Sequence, residues 1–313
     1  MAATTTTQLS FVTLDVFTTT RYTGNPLAII SVPQRISLSQ SQKQRIAREF
    51  NLSETVFLHE QTDADKSAGL ARIDIFTSFV EINFAGHPTV GTSNYLLGLL
   101  DAKPDLPAGG VKTLRIKAGD LGISVNSAIN GVQISVAHNV RIHANPFAGE
   151  SFAHFPVVSI VKGMTFILAQ QPSLEELGRQ TKSLLDRDRI ISATQLLDQG
   201  FQEGIVVSYF FADLGTDGAG VRQLRTRSHG SREDPATGSA ASALTSYLSL
   251  QAGRPGRYSY HITQGVEMGQ KSEIFVNVGV KEKASGDGVE IEDVLLSGCA
   301  VLTMQGSLAI PEA

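Results

Sequence analysis

At 313 residues, with 26 basic and 30 acidic side chains, the chain is long enough for two ordinary domains and carries a formal net charge of −4. With 18% charged and 42% hydrophobic residues it has the profile of a globular protein, and it shows no basic stripe that would hold nucleic acid. The single cysteine, Cys299, excludes an internal disulfide and any mechanism or zinc site that needs two thiolates.

The threonine-rich start, residues 1–10, reads as frayed and lacks the regions of a signal peptide. No apolar run approaches the ~20 residues of a membrane span. A cytoplasmic protein with a small-molecule partner is expected, and neither nucleic acid nor membrane. Residues 9–17 are a predicted strand, Gly24-Asn25-Pro26 a turn, and residues 27–32 a second strand. Residues 37–50 read as a helix with Ser39 as N-cap and Ile46, Ala47 and Phe50 on one face. A loop through Glu54 leads into a strand at 55–59. Residues 71–76 alternate, with Ile73 and Ile75 opposite Arg72 and Asp74, and the sheet continues at 80–84.

At Gly86-His87-Pro88 the period changes from two to helical. Residues 89–100 are small and apolar nearly all round, and such a helix is buried. Strands follow at 114–125 and 132–136, then irregular chain through Asn145-Pro146 and Gly149. The second half repeats the theme: strands at 157–160 and 165–169, a helix from Ser173 onward, a strand at 204–211, a small-residue helix at 238–250, strands at 258–263 and 272–278, and one final strand running through 300–304 and 308–310. The expected organisation is two domains, residues 1–137 (completed by the last strand, 298–313) and residues 138–297. The fold class is α+β: two pseudo-symmetric domains, each a mostly antiparallel sheet wrapped around a central helix.

An internal repeat supports this. His87-Pro88-Thr89-Val90-Gly91-Thr92-Ser93 aligns without gaps on Asp234-Pro235-Ala236-Thr237-Gly238-Ser239-Ala240, 147 residues later, and both small-residue helices reach a Tyr-Leu pair (Tyr95-Leu96, Tyr247-Leu248). Two helix N-termini in one cleft would bind a carboxylate through free backbone N–H groups and positive dipole ends. His87 and Asp234 would grip an amine or hydroxyl there. Taken singly, Asp234 reads equally well as a helix cap and His87 as a loop residue. Glu54, a type usually solvated, stands beside Leu52 and Val56 at a strand entry. Burial there would lift its pKa from about 4.3 towards neutrality and suit it to moving a proton on carbon.

Together these segments resemble the PhzF-like family of phenazine biosynthesis, which shares the diaminopimelate epimerase fold. The resemblance rests on Asp15-Val16-Phe17-Thr18 with Gly24-Asn25-Pro26-Leu27-Ala28, Asn51-Leu52-Ser53-Glu54-Thr55, Phe76-Thr77 with Glu81, Gly86-His87-Pro88-Thr89, and Glu233-Asp234-Pro235-Ala236-Thr237-Gly238-Ser239-Ala240, in family order across nearly the whole chain. It implies two epimerase-like domains with the site between them, and a cofactor-independent isomerase in which Glu54 shuttles the proton. His87 and Asp234 would orient the substrate. Asn25, Ser53, Gly86, Gly238, Ser239 and Ala240 would bind it, largely through backbone groups at its carboxylate. No cofactor or metal is implied, and a homodimer is. The related epimerases use two cysteines; Ala85 and Ser239 stand here at those motifs, which excludes a two-thiol racemase. The chain departs from the pattern at Ser78, where a proline is usual, at Gln270-Lys271-Ser272 in place of Arg-Pro-Ser, and at residues 229–232.

Other readings fail on spacing. Gly269-Gln270-Lys271-Ser272 lacks the glycine directly before the lysine of a phosphate loop and precedes a strand. Residues 215–220 miss the dinucleotide glycine spacing, and residues 237–241 lack the second glycine of a nucleophile elbow. The seven histidines are scattered. The alternative from another class is a non-catalytic small-molecule-binding or interaction protein on the same fold. The presence of all the acid–base positions favours the enzyme.

Overall fold

The computed structural model describes residues 8–100 and 110–312, so most of the start read above as frayed lies outside the described residues. The chain divides into two compact units, Met1–Ile134 with Gly298–Ala313, and Ser135–Ser297. Both are α+β.

Unit 1 runs β1 (Gln8–Val16), β2 (Asn25–Val32), α1 (Gln40–Phe50), β3 (Thr55–His59), α2 (Asp63–Ala68), β4 (Leu70–Phe76), β5 (Glu81–Ile82), α3 (Gly86–Leu96), β6 (Thr113–Ile116), β7 (Gly119–Asn126) and β8 (Gly131–Ser135). Antiparallel pairing joins β1 to β2, β3 to β4, β4 to β5, β6 to β7 and β7 to β8; β2–β3 and β4–β6 are parallel.

Unit 2 holds β9 (Arg141–His143), β10 (Val157–Val161), β11 (Gly163–Gln170), α4 (Leu174–Gly178), α5 (Arg189–Ser192), β12 (Gly204–Thr216), β13 (Arg222–His229), β14 (Glu233–Asp234), α6 (Gly238–Gln251), β15 (Gly256–Gln264), β16 (Ser272–Glu282) and β17 (Val289–Gly298). From β10 to β17 the pairing repeats unit 1 step for step, with β11–β12 and β13–β15 as the parallel steps. The last strand, β18 (Ala300–Ala309), pairs antiparallel with β1, as β9 does with β10. The repeat is therefore one of topology.

Both central helices are buried, as their small apolar residues predict. Every residue of α3 is buried, as is α6 from Gly238 to Ser246. α3 packs on β1, β2, β3 and β18, and α6 on β10, β11, β15 and β16. Several of their hydroxyls bond back along the helix, as Thr89 Oγ1 does to the Gly86 carbonyl (2.8 Å) and Ser242 Oγ to the Gly238 carbonyl (2.8 Å). A Cβ on Gly91 would lie 2.6 Å from Leu27 Cδ2, so this glycine sets how closely α3 approaches its sheet.

α1 starts as expected. Ser39 caps it in a reciprocal box with Gln42, an arrangement whose loss costs about 1 kcal/mol. Three expectations need correction. The strand at 80–84 shrinks to the two residues of β5, and the helix from Ser173 ends at Gly178. β13, β17, α2 and α5 were not anticipated. β13 escapes hydropathy because its buried residues, Leu224 apart, are polar: Thr226, Arg227, Ser228 and His229 are all buried. Among the described residues no helix is long and apolar enough to cross a membrane.

Candidate active site

In unit 1 the chain is steered to Glu54 by the end of α1. Asn51 takes the left-handed conformation (φ 51°) and its N–H closes on the Ala47 carbonyl. Asparagine tolerates that conformation better than most residues. Ser53 and Glu54 follow, half-buried, and Thr55 then locks into the sheet opposite Ala28 and Phe76. α3 begins at Gly86 with no side-chain cap, so its first N–H groups have no partner from a capping residue. His87 is the second residue of that turn and is 3% exposed.

These two converge. His87 Nδ1 lies 3.0 Å from Glu54 Oε2. The contact is a short polar approach rather than an aligned hydrogen bond: Glu54 Oε2 is buried with no hydrogen-bond partner, and neither has His87 Nε2. A carboxylate oxygen whose lone pairs are not taken up, in a nearly dry setting, can accept a proton from carbon. Asn25, fully buried, stands at the head of β2 opposite Val16. The loop before it is pinned by Asp15, whose carboxylate accepts the Tyr22 N–H (2.6 Å) and is pushed above its ordinary range by burial.

In unit 2, β14 carries Asp234 to the start of α6. Thr237 Oγ1 donates to Asp234 Oδ2 at 2.6 Å. Gly238, Ser239 and Ala240 form the first turn of α6, buried and without a side-chain cap. Sequence reasoning missed the pair behind them. Arg227 grips Glu233 with two bonds (2.8 and 2.9 Å) and donates to the Gly178 carbonyl (2.8 Å), fixing the strand that bears Asp234.

The structure also re-registers the repeat. Gly86 and Gly238 are both the first residue of their helix, and Glu81 and Glu233 both the first of their short strand, 152 residues apart rather than 147. His87 therefore corresponds to Ser239, and Asp234 to Ile82. Tyr95-Leu96 and Tyr247-Leu248 already carried this offset.

A second histidine contact looks catalytic and is not. His143 Nε2 lies 2.8 Å from Ser159 Oγ, with Asp198 close by. The Asp198 backbone N–H donates to Nδ1 (3.2 Å), so the ring proton sits on Nε2 and points at the serine. Burial holds this histidine below its ordinary pKa, and Ser159 is fully buried. A nucleophilic serine needs the opposite tautomer and access. Among the described residues no group of three or more His, Cys, Asp or Glu side chains is placed to hold a metal ion.

With this geometry in hand, comparison with known proteins is decisive on kinship. The family model described as phenazine biosynthesis-like protein (PhzC-PhzF) matches residues 14–149 and 221–306. The chain belongs to this family. It is 28% identical over 309 residues to the trans-2,3-dihydro-3-hydroxyanthranilate isomerase of Pseudomonas chlororaphis, covering 96% of this chain and 99% of that one. Among solved structures it resembles the Bacillus anthracis PhzF-family phenazine biosynthesis protein (TM-score 0.67, 22% identity, 97% and 100% coverage). It also shares the fold of a hydroxyproline epimerase from Agrobacterium vitis (TM-score 0.60, 14% identity, 97% and 93% coverage). The chain is accordingly an isomerase with a PhzF-like, epimerase-like fold.

Proposed function

We propose that this isomerase moves a proton between carbons, or between the faces of one carbon, of a small carboxylate-bearing substrate, without a cofactor. Glu54 is the acid–base group. One observation carries the reading: the Glu54 Oε2 atom is buried, free of any aligned hydrogen bond, and 3.0 Å from His87 Nδ1. Glu54 takes the proton, the C–H electron pair spreads into the adjoining unsaturated system, and the same carboxyl returns the proton to a different position. The nearby imidazole, with Nε2 still uncommitted, is suited to orient a substrate amino or hydroxyl group, a task shared with Asp234. Backbone N–H groups at Gly86, Gly238, Ser239 and Ala240, with Asn25 and Ser53, are the proposed substrate contacts. Donors of that kind stabilise negative charge as it develops.

The test is proton exchange followed by NMR in heavy water. Trans-2,3-dihydro-3-hydroxyanthranilate, the compound named for the Pseudomonas relative, is compared with a panel of small amino and hydroxy acids. Deuterium should enter at carbon with the wild type, and Glu54→Gln should slow this by about 10²- to 10⁴-fold. Exchange that persists in Glu54→Gln assigns the base to another group.

A further inference from the structure

Gln264, the last residue of β15, is fully buried, and its side chain ties together four elements of unit 2. Nε2 donates to the Asp234 carbonyl (2.8 Å) and to Thr237 Oγ1 (3.1 Å). Oε1 accepts from the Thr237 N–H (3.2 Å), the Tyr209 hydroxyl (3.1 Å) and the Thr226 hydroxyl (3.3 Å). Both amide protons are used, and three donors converge on the two lone pairs of Oε1, so no capacity is left over. The next residue, Gly265, sits at φ +73°, and a Cβ there would come within 2.7 Å of the Pro235 carbonyl oxygen. The Gln264-Gly265 pair is thus seated directly on the Asp234-Pro235 backbone.

The direction of the bonds matters. Thr237 has one hydroxyl proton. Because Gln264 Nε2 donates to that oxygen, the proton is turned outward and given to Asp234 Oδ2 at 2.6 Å. We propose that Gln264 is a positioning residue for the candidate site: through Thr237 it holds the Asp234 carboxylate in the rotamer that orients the substrate. This rests on the substrate-orienting role given to Asp234 above. The clamp does not call on the side chains of Gln270-Lys271, which stand in place of the family's usual pair. Gln270 meets Gly265 through its backbone N–H (2.9 Å), and Lys271 turns to Glu273 (3.1 Å), so neither side chain enters the clamp.

The experiment is a mutant cycle read by deuterium exchange into trans-2,3-dihydro-3-hydroxyanthranilate, with thermal unfolding of each variant alongside. Gln264→Met and Thr237→Val should each lower kcat/KM about 10- to 100-fold, the cost of a misplaced group. Gln264→Glu should be as damaging as Gln264→Met, because a carboxylate accepts the threonine proton that Asp234 needs. Thr237→Ser, which keeps the hydroxyl, should restore activity to within a few-fold, and it stands in should Gln264→Met fail to fold. In an Asp234→Ala background, Gln264→Met should add nothing. Losses that multiply in that background, or a Thr237→Ser enzyme as impaired as Thr237→Val, overturn the proposal. If Gln264→Met is impaired while Asp234→Ala is fully active, it is the role of Asp234 that has failed.

Discussion

His87 and Ser239 hold the same place in two copies of one fold, each the second residue of a buried central helix. The first copy has an imidazole against Glu54 at that position, and the second a small hydroxyl. Asp234, in turn, matches an apolar residue, Ile82. The two units share the frame and differ in the side chains it presents at these positions. At the helix start of unit 1 an imidazole meets a carboxylate, and ahead of the helix in unit 2 a carboxylate is held by Thr237.

That division predicts a trade between stability and activity at His87. Its ring is 3% exposed, yet Nε2 has no partner, an arrangement that costs folding free energy. His87→Phe keeps the ring and removes both nitrogens. We expect kcat/KM to fall about 10²- to 10³-fold, as for loss of one organised donor at a reacting centre. The unfolding temperature should be unchanged or higher. A drop of several degrees in calorimetry would show the imidazole to be structural.

At Ser159 the expectation is reversed. Its hydroxyl joins His143 Nε2 (2.8 Å) and Thr165 Oγ1 (2.7 Å) in a fully buried chain. Ser159→Ala leaves both without that partner and should destabilise the fold by about 1–3 kcal/mol. Turnover should not change. Chemical denaturation and exchange assays on the same preparation separate the two effects, and lost turnover in a folded variant would revive a nucleophilic serine.

What was legible in the sequence follows how each element buries its surface. α1, α3 and α6 and most apolar strands show through periodicity, because their burial is apolar. β13 does not, since Arg227 is buried by its bonds to Glu233, and Thr226 by its bonds to Tyr209 and Gln264. The first half of β17 is a different case: Val289 and Ile291 alternate with exposed Glu290 and Glu292, a period-two signal that was present and not used. The site divides along the same line. Glu54 and His87 stand in distinctive local motifs, while their 3.0 Å approach appears only in the fold. The register of the repeat was misjudged because a shared proline outweighed Tyr95-Leu96 and Tyr247-Leu248. Gln264 is invisible until the fold brings β15 beside β13.

Acid stability offers a test that is independent of function. Asp65, buried at the start of α2, accepts two bonds from Arg72 (3.0 and 2.8 Å) and others from Thr62. The Arg72 guanidinium is the main reason its pKa falls from 3.8 to about 2. A carboxylate depressed on folding stabilises the protein fully above its unfolded pKa, and that contribution is lost as pH falls through the folded value. The wild type should therefore lose stability between about pH 4 and pH 2 on this account. Asp65→Asn should be less stable at pH 7 and approach the wild type across that window. Melting curves that stay parallel down to pH 2 would contradict the linkage.

Glycine-to-alanine exchanges should take opposite signs at two helical positions. Alanine is favoured over glycine within a helix by up to about 1 kcal/mol. At Gly178, near the end of α4, no atom lies within 4 Å of the added Cβ, so the propensity term stands alone. Gly178→Ala should raise the urea midpoint slightly. At Gly91 the Cβ would fall 2.6 Å from Leu27 Cδ2 and 2.7 Å from Val16 Cγ2, in a core with no slack. Overpacking of that kind costs about 1–3 kcal/mol and outweighs the propensity gain. Gly91→Ala should therefore destabilise. Because His87 lies one helical turn earlier on α3, its contact with Glu54 should loosen as the helix is pushed from the sheet, and exchange should slow in parallel. A Gly91→Ala protein as stable and active as the wild type would mean that α3 is not held by this close approach.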